Sequence, residues 1–125
     1  MKPLIEVVDD DISVRESLGS LIRSIGMDVT VKASAEEFLT SAHPRQPDCL
    51  ILDVRLPGMS GIELHHQLLA RRCSVPVIFI TAHAYDDRTR SEAASHWTVA
   101  YLTKPLSEDE LLDAVNAALK WQARS

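Results

Sequence analysis

Apolar residues along this chain recur in two alternating rhythms. Short runs of four or five, bounded by turn formers, alternate with stretches in which they return every three or four positions. The first rhythm marks strands and the second amphipathic helices. Leu4 to Val8 reads as a strand, followed by a helix that Ser13 and Glu16 open as a capping box. On that helix Val14, Leu18, Leu21, Ile22 and Ile25 share a face until Gly26 stops it. Val29 and Val31 alternate with Thr30 and Lys32, the pattern of a half-exposed strand at a sheet edge. Ser34 and Glu37 cap a short helix carrying Phe38 and Leu39. Cys49 to Leu52 is a buried strand ending on Asp53. Pro57-Gly58 then turns the chain, and Ser60 with Glu63 caps a helix whose apolar face is Ile62, Leu64, Leu68 and Leu69.

Val75 to Ile80 is a fourth strand that ends at Thr81, its Pro76 tolerable near a strand's start. Asp86 to Ser95 reads as a helix with almost no apolar residue besides Ala93 and Ala94, hence the least firmly held. Val99 to Leu102 is a fifth strand. Ser107 and Glu110 cap a last helix with Leu111, Leu112, Val115, Ala118 and Leu119 on one face. Strands alternating with helices imply parallel strands joined by right-handed crossovers, with helices on both faces. The expected architecture is a doubly wound five-stranded parallel sheet with five helices, in the flavodoxin-like order 2-1-3-4-5.

Composition narrows the function classes. At 125 residues the chain has the size of one domain, so residues 1–125 are expected to form a single unit. A net charge of −5 with no basic cluster on any element gives no footprint for direct nucleic acid binding. No apolar run approaches a membrane span, and Met1-Lys2-Pro3 leads into a strand rather than a signal peptide, so a cytoplasmic protein without membrane attachment is expected. Cys49 and Cys73 lack metal or redox spacing and read as free thiols, the first in the core. Ala42 to Pro47 reads as a surface loop.

The order 2-1-3-4-5 brings together the carboxyl ends of strands one, three, four and five, where ligands bind in open α/β sheets. Asp9 and Asp10, Asp53, Thr81 and Lys104 stand there. Singly, each has a plain explanation: Asp9 to Asp11 as helix N-terminal acids, Asp53 as a loop cap, Thr81 as a strand end, Lys104 as a solvated charge. Jointly, three carboxylates repel one another unless a cation neutralises them. Magnesium, with manganese as an alternative, suits a few carboxylates that leave positions for water and a phosphate oxygen. Lys104 supplies charge to a second phosphate oxygen and Thr81 a hydroxyl to a third, leaving Asp53 as a nucleophile that forms an acyl phosphate.

These residues carry a family resemblance. Val7-Val8-Asp9-Asp10, Leu52-Asp53 with Leu56-Pro57 and Ser60-Gly61, Thr81-Ala82 and Lys104-Pro105 stand in the order and spacing of the receiver domain of two-component response regulators. The chain resembles that domain over essentially its whole length. The resemblance implies that Asp53 is the phosphoacceptor, and that Asp9, Asp10 and Asp53 hold magnesium with the Arg55 backbone carbonyl. It implies that Thr81 and Lys104 contact the phosphoryl group, and that a cis peptide before Pro105 places the lysine. Thr81 and Tyr101 match the switch positions. Arg55, Ala82, His83 and Pro105 match positions that modulate the chemistry, Arg55 and His83 flanking the path of hydrolytic water.

Arg55 with His83 also resembles the FixJ-like subfamily, which couples a receiver to a helix-turn-helix DNA-binding output domain in transcription regulation. No such output domain lies in these 125 residues. The implied partners are a histidine kinase and an output domain or partner protein. A phosphorylation-dependent homodimer is a further expectation, with the fourth helix and fifth strand as the switching face. Such a domain catalyses only its own phosphorylation and slow autodephosphorylation and is otherwise no enzyme.

Two rivals stand beside this reading. Asp9 and Asp11 have the Asp-x-Asp spacing of magnesium-dependent phosphohydrolases of the haloacid-dehalogenase type, although Asp53 then has no role. A receiver-like module that binds partners without phosphorylation is the other. One departure bears on it: before the fifth strand the family usually has Gly-Ala, and this chain has Trp97-Thr98. Polar neighbours on both sides lead us to expect an exposed indole that anchors a dimer contact.

Overall fold

Residues 2–43, 45–82 and 87–124 are described by a computed structural model. Among them, β1 (Leu4–Val8), β2 (Asp28–Lys32), β3 (Cys49–Asp53), β4 (Val77–Thr81) and β5 (Thr98–Thr103) form one parallel sheet in the order β2-β1-β3-β4-β5. Between and after them come α1 (Ile12–Ser24), α2 (Ala35–Thr40), α3 (Gly61–Ala70), α4 (Asp87–Ala93) and α5 (Glu108–Arg124). Architecture and strand order are those expected. No helix of the described residues is long and apolar enough to cross a membrane.

The period of two along each strand divides the core into two layers. Ile5, Val7, Ile51, Ile78 and Ile80 pack with Leu18 and Ile22 of α1 and with Leu111, Val115 and Ala118 of α5. Val8, Leu50, Leu52, Val77 and Phe79 face the other way, against Phe38 of α2, Ile62, Leu64 and Leu68 of α3, and Ala93 of α4. Every residue of β3 and β4 is buried, whereas β2 is a half-exposed edge on which Val31 reaches solvent. Full burial of one such side chain is worth about 1.5–3 kcal/mol, so the central strands are the part of the sheet least able to move. Cys49 lies in this core, where burial pushes its thiol well above the ordinary range, and both cysteines are free thiols.

Element boundaries depart from expectation at several points. α1 is capped by Asp11, whose carboxylate accepts from the Ser13 and Val14 amides, so Ser13 lies inside the helix. Aspartate caps as well as serine and here serves two amides at once. β4 begins at Val77, not Val75, because Pro76 has no N–H for the ladder; its carbonyl accepts from the Leu50 amide instead. α4 stops at Ala93, since the Thr98 hydroxyl takes the Ala93 carbonyl and the Ala94 amide turns back to Ser91. Asp86, its expected first residue, lies outside the described residues. The caps at Ser34, Ser60 and Ser107 are as expected, each hydroxyl accepting the amide three residues on.

Register delivers the site. Val8 pairs with Leu52, Asp53 with Ile80, and Thr81 with Thr103, so four strands end at one level. Beyond β3 the Gly61 amide closes the loop onto the Val54 carbonyl at 3.0 Å. Here α3 passes so near the strand it follows that a Cβ on residue 61 would stand 2.0 Å from the Asp53 carbonyl oxygen. Gly61→Ala is therefore expected to lower stability by about 2–3 kcal/mol, read as a lower urea midpoint at unchanged slope. A midpoint equal to the native one would show that the loop yields freely.

Candidate functional site

Asp9 leaves the end of β1 fully buried, its Oδ1 accepting the Asp11 amide at 2.8 Å. Arg15, one turn into α1, reaches back so that its Nη1 donates to the Asp9 carbonyl at 2.8 Å and pins the connecting loop. Asp53 ends β3 at 4 % exposure, its Oδ1 accepting the Arg55 amide at 2.9 Å. Lys104 follows β5, and its amide donates to the Thr81 carbonyl at 2.7 Å. Its ammonium donates to Asp53 Oδ2 at 2.9 Å. The same ammonium pairs with Asp9 Oδ2 at 2.8 Å. Asp10 is exposed at the rim, and Asp9, Asp10 and Asp53 each bring one carboxylate oxygen within 4.8 Å of the others.

Asp9 and Asp53 thus share one ammonium, and Asp10 adds a third carboxylate beside them. Burial pushes the Asp53 carboxyl above its ordinary value, and the Asp9 charge adds to this; the hydrogen bonds from Lys104 and the Arg55 amide oppose the rise without cancelling it. Burial by itself would lower Lys104, yet its contacts with Asp9 and Asp53 outweigh that and hold the ammonium above its ordinary value. With three carboxylates and one ammonium the cluster is short of positive charge, and it offers only hard oxygen donors, two of them held by backbone amides. Those features fit a divalent cation of the magnesium type.

The structure also brings Thr81, buried at the end of β4, and exposed Ala82, Arg55 and Pro105 to this end of the sheet. The Lys104–Pro105 bond is cis. His83 lies outside the described residues. Tyr101 is half-buried on β5, its ring 6.2 Å from that of Phe79, with the Arg90 guanidinium 5.4 Å above it. Trp97 departs from expectation: it is half-buried with the His96 ring edge-on at 5.4 Å, because Ser95 and Thr98 turn their hydroxyls toward each other rather than to solvent.

Two supporting residues were not legible in the sequence. Arg15 has the look of an ordinary charge on a solvated helix face. Glu36 reads as a first-turn acid of α2, yet its Oε2 accepts the Met59 amide at 2.9 Å, and that bond holds its carboxyl below the usual range. Gly58, at φ 74°, permits the approach, since a Cβ there would stand 2.3 Å from Glu36 Oε2. The pairing of an acid on one helix with a turn 23 residues away leaves no local periodic trace.

The sequence profile of the response regulator receiver domain matches residues 5–116. Nodulation protein W of Bradyrhizobium diazoefficiens is 45% identical over 117 residues, which are 94% of this chain and 51% of that protein. The transcriptional regulatory protein FixJ of Azorhizobium caulinodans is 40% identical over 115 residues, 92% of this chain and 54% of that one. The solved structure of the response regulator StyR superposes with a TM-score of 0.85 at 44% identity, covering 99% of this chain and 62% of that one. The chain spans about half the length of the curated relatives it matches.

A carboxyl whose value rises on folding binds its proton more tightly in the folded state, so ionised Asp53 weakens the fold as pH climbs above the unfolded value of 3.8. Asp53→Asn is expected to melt higher than the native chain at pH 7 without divalent metal, by on the order of 3 °C, with the gap closing toward acid pH. Thermal melts across pH check this. A variant that melts lower at neutral pH would mean that the lysine contact outweighs burial.

Proposed function

This chain belongs to the response regulator receiver domain family, within the FixJ-like group, and on that premise we propose that it accepts a phosphoryl group on Asp53 from a histidine kinase. The observation that carries the proposal is the Lys104 ammonium lying between Asp53 and Asp9 at one end of the sheet. Asp9, Asp10 and Asp53 with the Arg55 backbone carbonyl would hold magnesium or manganese, which when bound supplies charge neutralisation around the transferring group.

A carboxylate oxygen of Asp53 attacks phosphorus of the kinase phosphohistidine. The phosphorus–nitrogen bond breaks, and its electron pair stays on the imidazole, which takes up a proton. Lys104 exchanges its carboxylate contact for a phosphoryl oxygen, and the Thr81 hydroxyl donates to another. Thr81 moving toward the phosphoryl group vacates space that Tyr101 enters, biasing α4 and β5 toward a second arrangement. That face then acts on an output domain or partner protein in the cytoplasm, or on a second copy of the chain. Residues 1–125 constitute the receiver unit in this reading. Asp11, the acid that a phosphohydrolase would need beside Asp9, caps α1 and stands outside the carboxylate cluster, which argues against that rival.

Acetyl phosphate with magnesium is expected to add one phosphoryl mass to the intact chain, and Asp53→Asn to abolish the addition. Mass spectrometry that found label retained in Asp53→Asn and lost in Asp9→Asn would transfer the chemistry to β1. Arg55 and His83 should obstruct in-line attack by water, so replacing both by alanine is expected to shorten the lifetime of the phosphorylated mass. Equal or slower decay in that variant would remove them from the path.

A further inference from the structure

His65 sits on α3 at 1 % exposure, and neither the core nor the carboxylate site accounts for it. Its ring stands edge-on to Phe79 of β4, centroids 5.4 Å apart, and Phe79 in turn meets Tyr101 of β5. Nε2 lies 2.8 Å from the hydroxyl of Ser95, in the segment between α4 and β5, while Nδ1 has no partner among the described residues.

Counting protons assigns the tautomer. Thr98 Oγ1 donates at 2.6 Å to the Ala93 carbonyl, which can only accept. The Thr98 proton is therefore engaged, so in the 3.2 Å contact between the two hydroxyls Ser95 is the donor. With its own proton engaged, Ser95 Oγ accepts from the Trp97 amide at 3.1 Å and from His65. The imidazole is the Nε2–H tautomer. The opposite assignment would leave a buried Nδ1–H with nothing to receive it, a costlier orphan than an unfilled acceptor. Burial, aided by His66, pushes the imidazole down to about 4, so it stays neutral near pH 7.

The consequence for α4 is firm support at its C-terminal end. Ala93, its last residue, is fully buried and bonded to Thr98, Thr98 to Ser95, and Ser95 to α3 through His65. His66 adds an exposed tie to the Glu92 carbonyl at 2.9 Å. Nearer the start of α4, exposed Arg90 lies over the ring of Tyr101, the proposed switch residue, and exposed Arg88 pairs with Glu92 within the helix. We propose that His65 is a positioning residue that pins the C-terminal end of α4 to α3, so that α4 turns about this end when Asp53 is phosphorylated. The turning rests on the phosphoacceptor reading above; the pinning does not.

The test uses the whole 125-residue chain, free and treated with magnesium and beryllofluoride as phosphoryl analogue. Long-range 1H–15N spectra are expected to show His65 as the neutral Nε2–H tautomer from about pH 5 to about pH 8. On beryllofluoride treatment its ring signals should stay in place while the amides of residues 88–91 shift. In His65→Leu, amides of residues 93–98 should exchange with solvent about tenfold faster, and the shifts at 88–91 should shrink. His65→Gln, whose side-chain amide can donate to Ser95, should restore both. An Nδ1–H tautomer, ring signals that move as far as the 88–91 amides, or native exchange in His65→Leu would each overturn the proposal. If neither acetyl phosphate nor beryllofluoride alters the native chain, the phosphoacceptor reading fails and the turning with it. The tautomer and the exchange of the free protein then decide the pinning alone.

Discussion

One ammonium shared between two buried carboxylates is the interaction on which the rest of this structure depends. Lys104 can reach Asp9 and Asp53 together only because β1, β3, β4 and β5 end at one level, and they do so because the register of a parallel sheet aligns them. Burying acids is costly, and a lone lysine offsets that cost only in part. The raised Asp53 carboxyl records the shortfall. The site is held ready for incoming positive charge, and the fold's central strands, buried on both faces, supply the rigidity that keeps the acids from drifting apart.

What could be read from the chain follows from this dependence. Asp53, Thr81 and Lys104 were legible because each terminates an apolar run, and a run of that kind declares both its burial and its end. The sheet order was legible for the same reason, β2 alone showing alternation. Side-chain contacts that cross from one element to another left no such mark. Glu36, exposed, meets the Met59 amide and Arg15, half-buried, meets the Asp9 carbonyl, and the sequence contains nothing that separates either from ordinary surface charges.

Polar residues within apolar faces misled in a consistent direction. Counting Ile62, Leu64, Leu68 and Leu69 as the inner face of α3 passed over His65, which lies deeper than Leu69. Taking Ser95 and Thr98 as signs of solvent exposed Trp97 too far. In both cases hydroxyl and imidazole groups satisfy one another internally, which composition cannot register. At α1 the error was of a different kind, two eligible caps two residues apart, decided by which side chain serves more amides.

The glycine at the start of α3 reaches beyond local packing. Because residue 61 presses on the carbonyl of residue 53, the nucleophile's strand and the helix after it form a single rigid cassette, which leaves no slack for a longer or shorter loop between them. An engineer moving this chemistry to another parallel sheet would have to graft the whole segment from Asp53 to Gly61. The lysine, arriving from a different strand, could be supplied by the recipient.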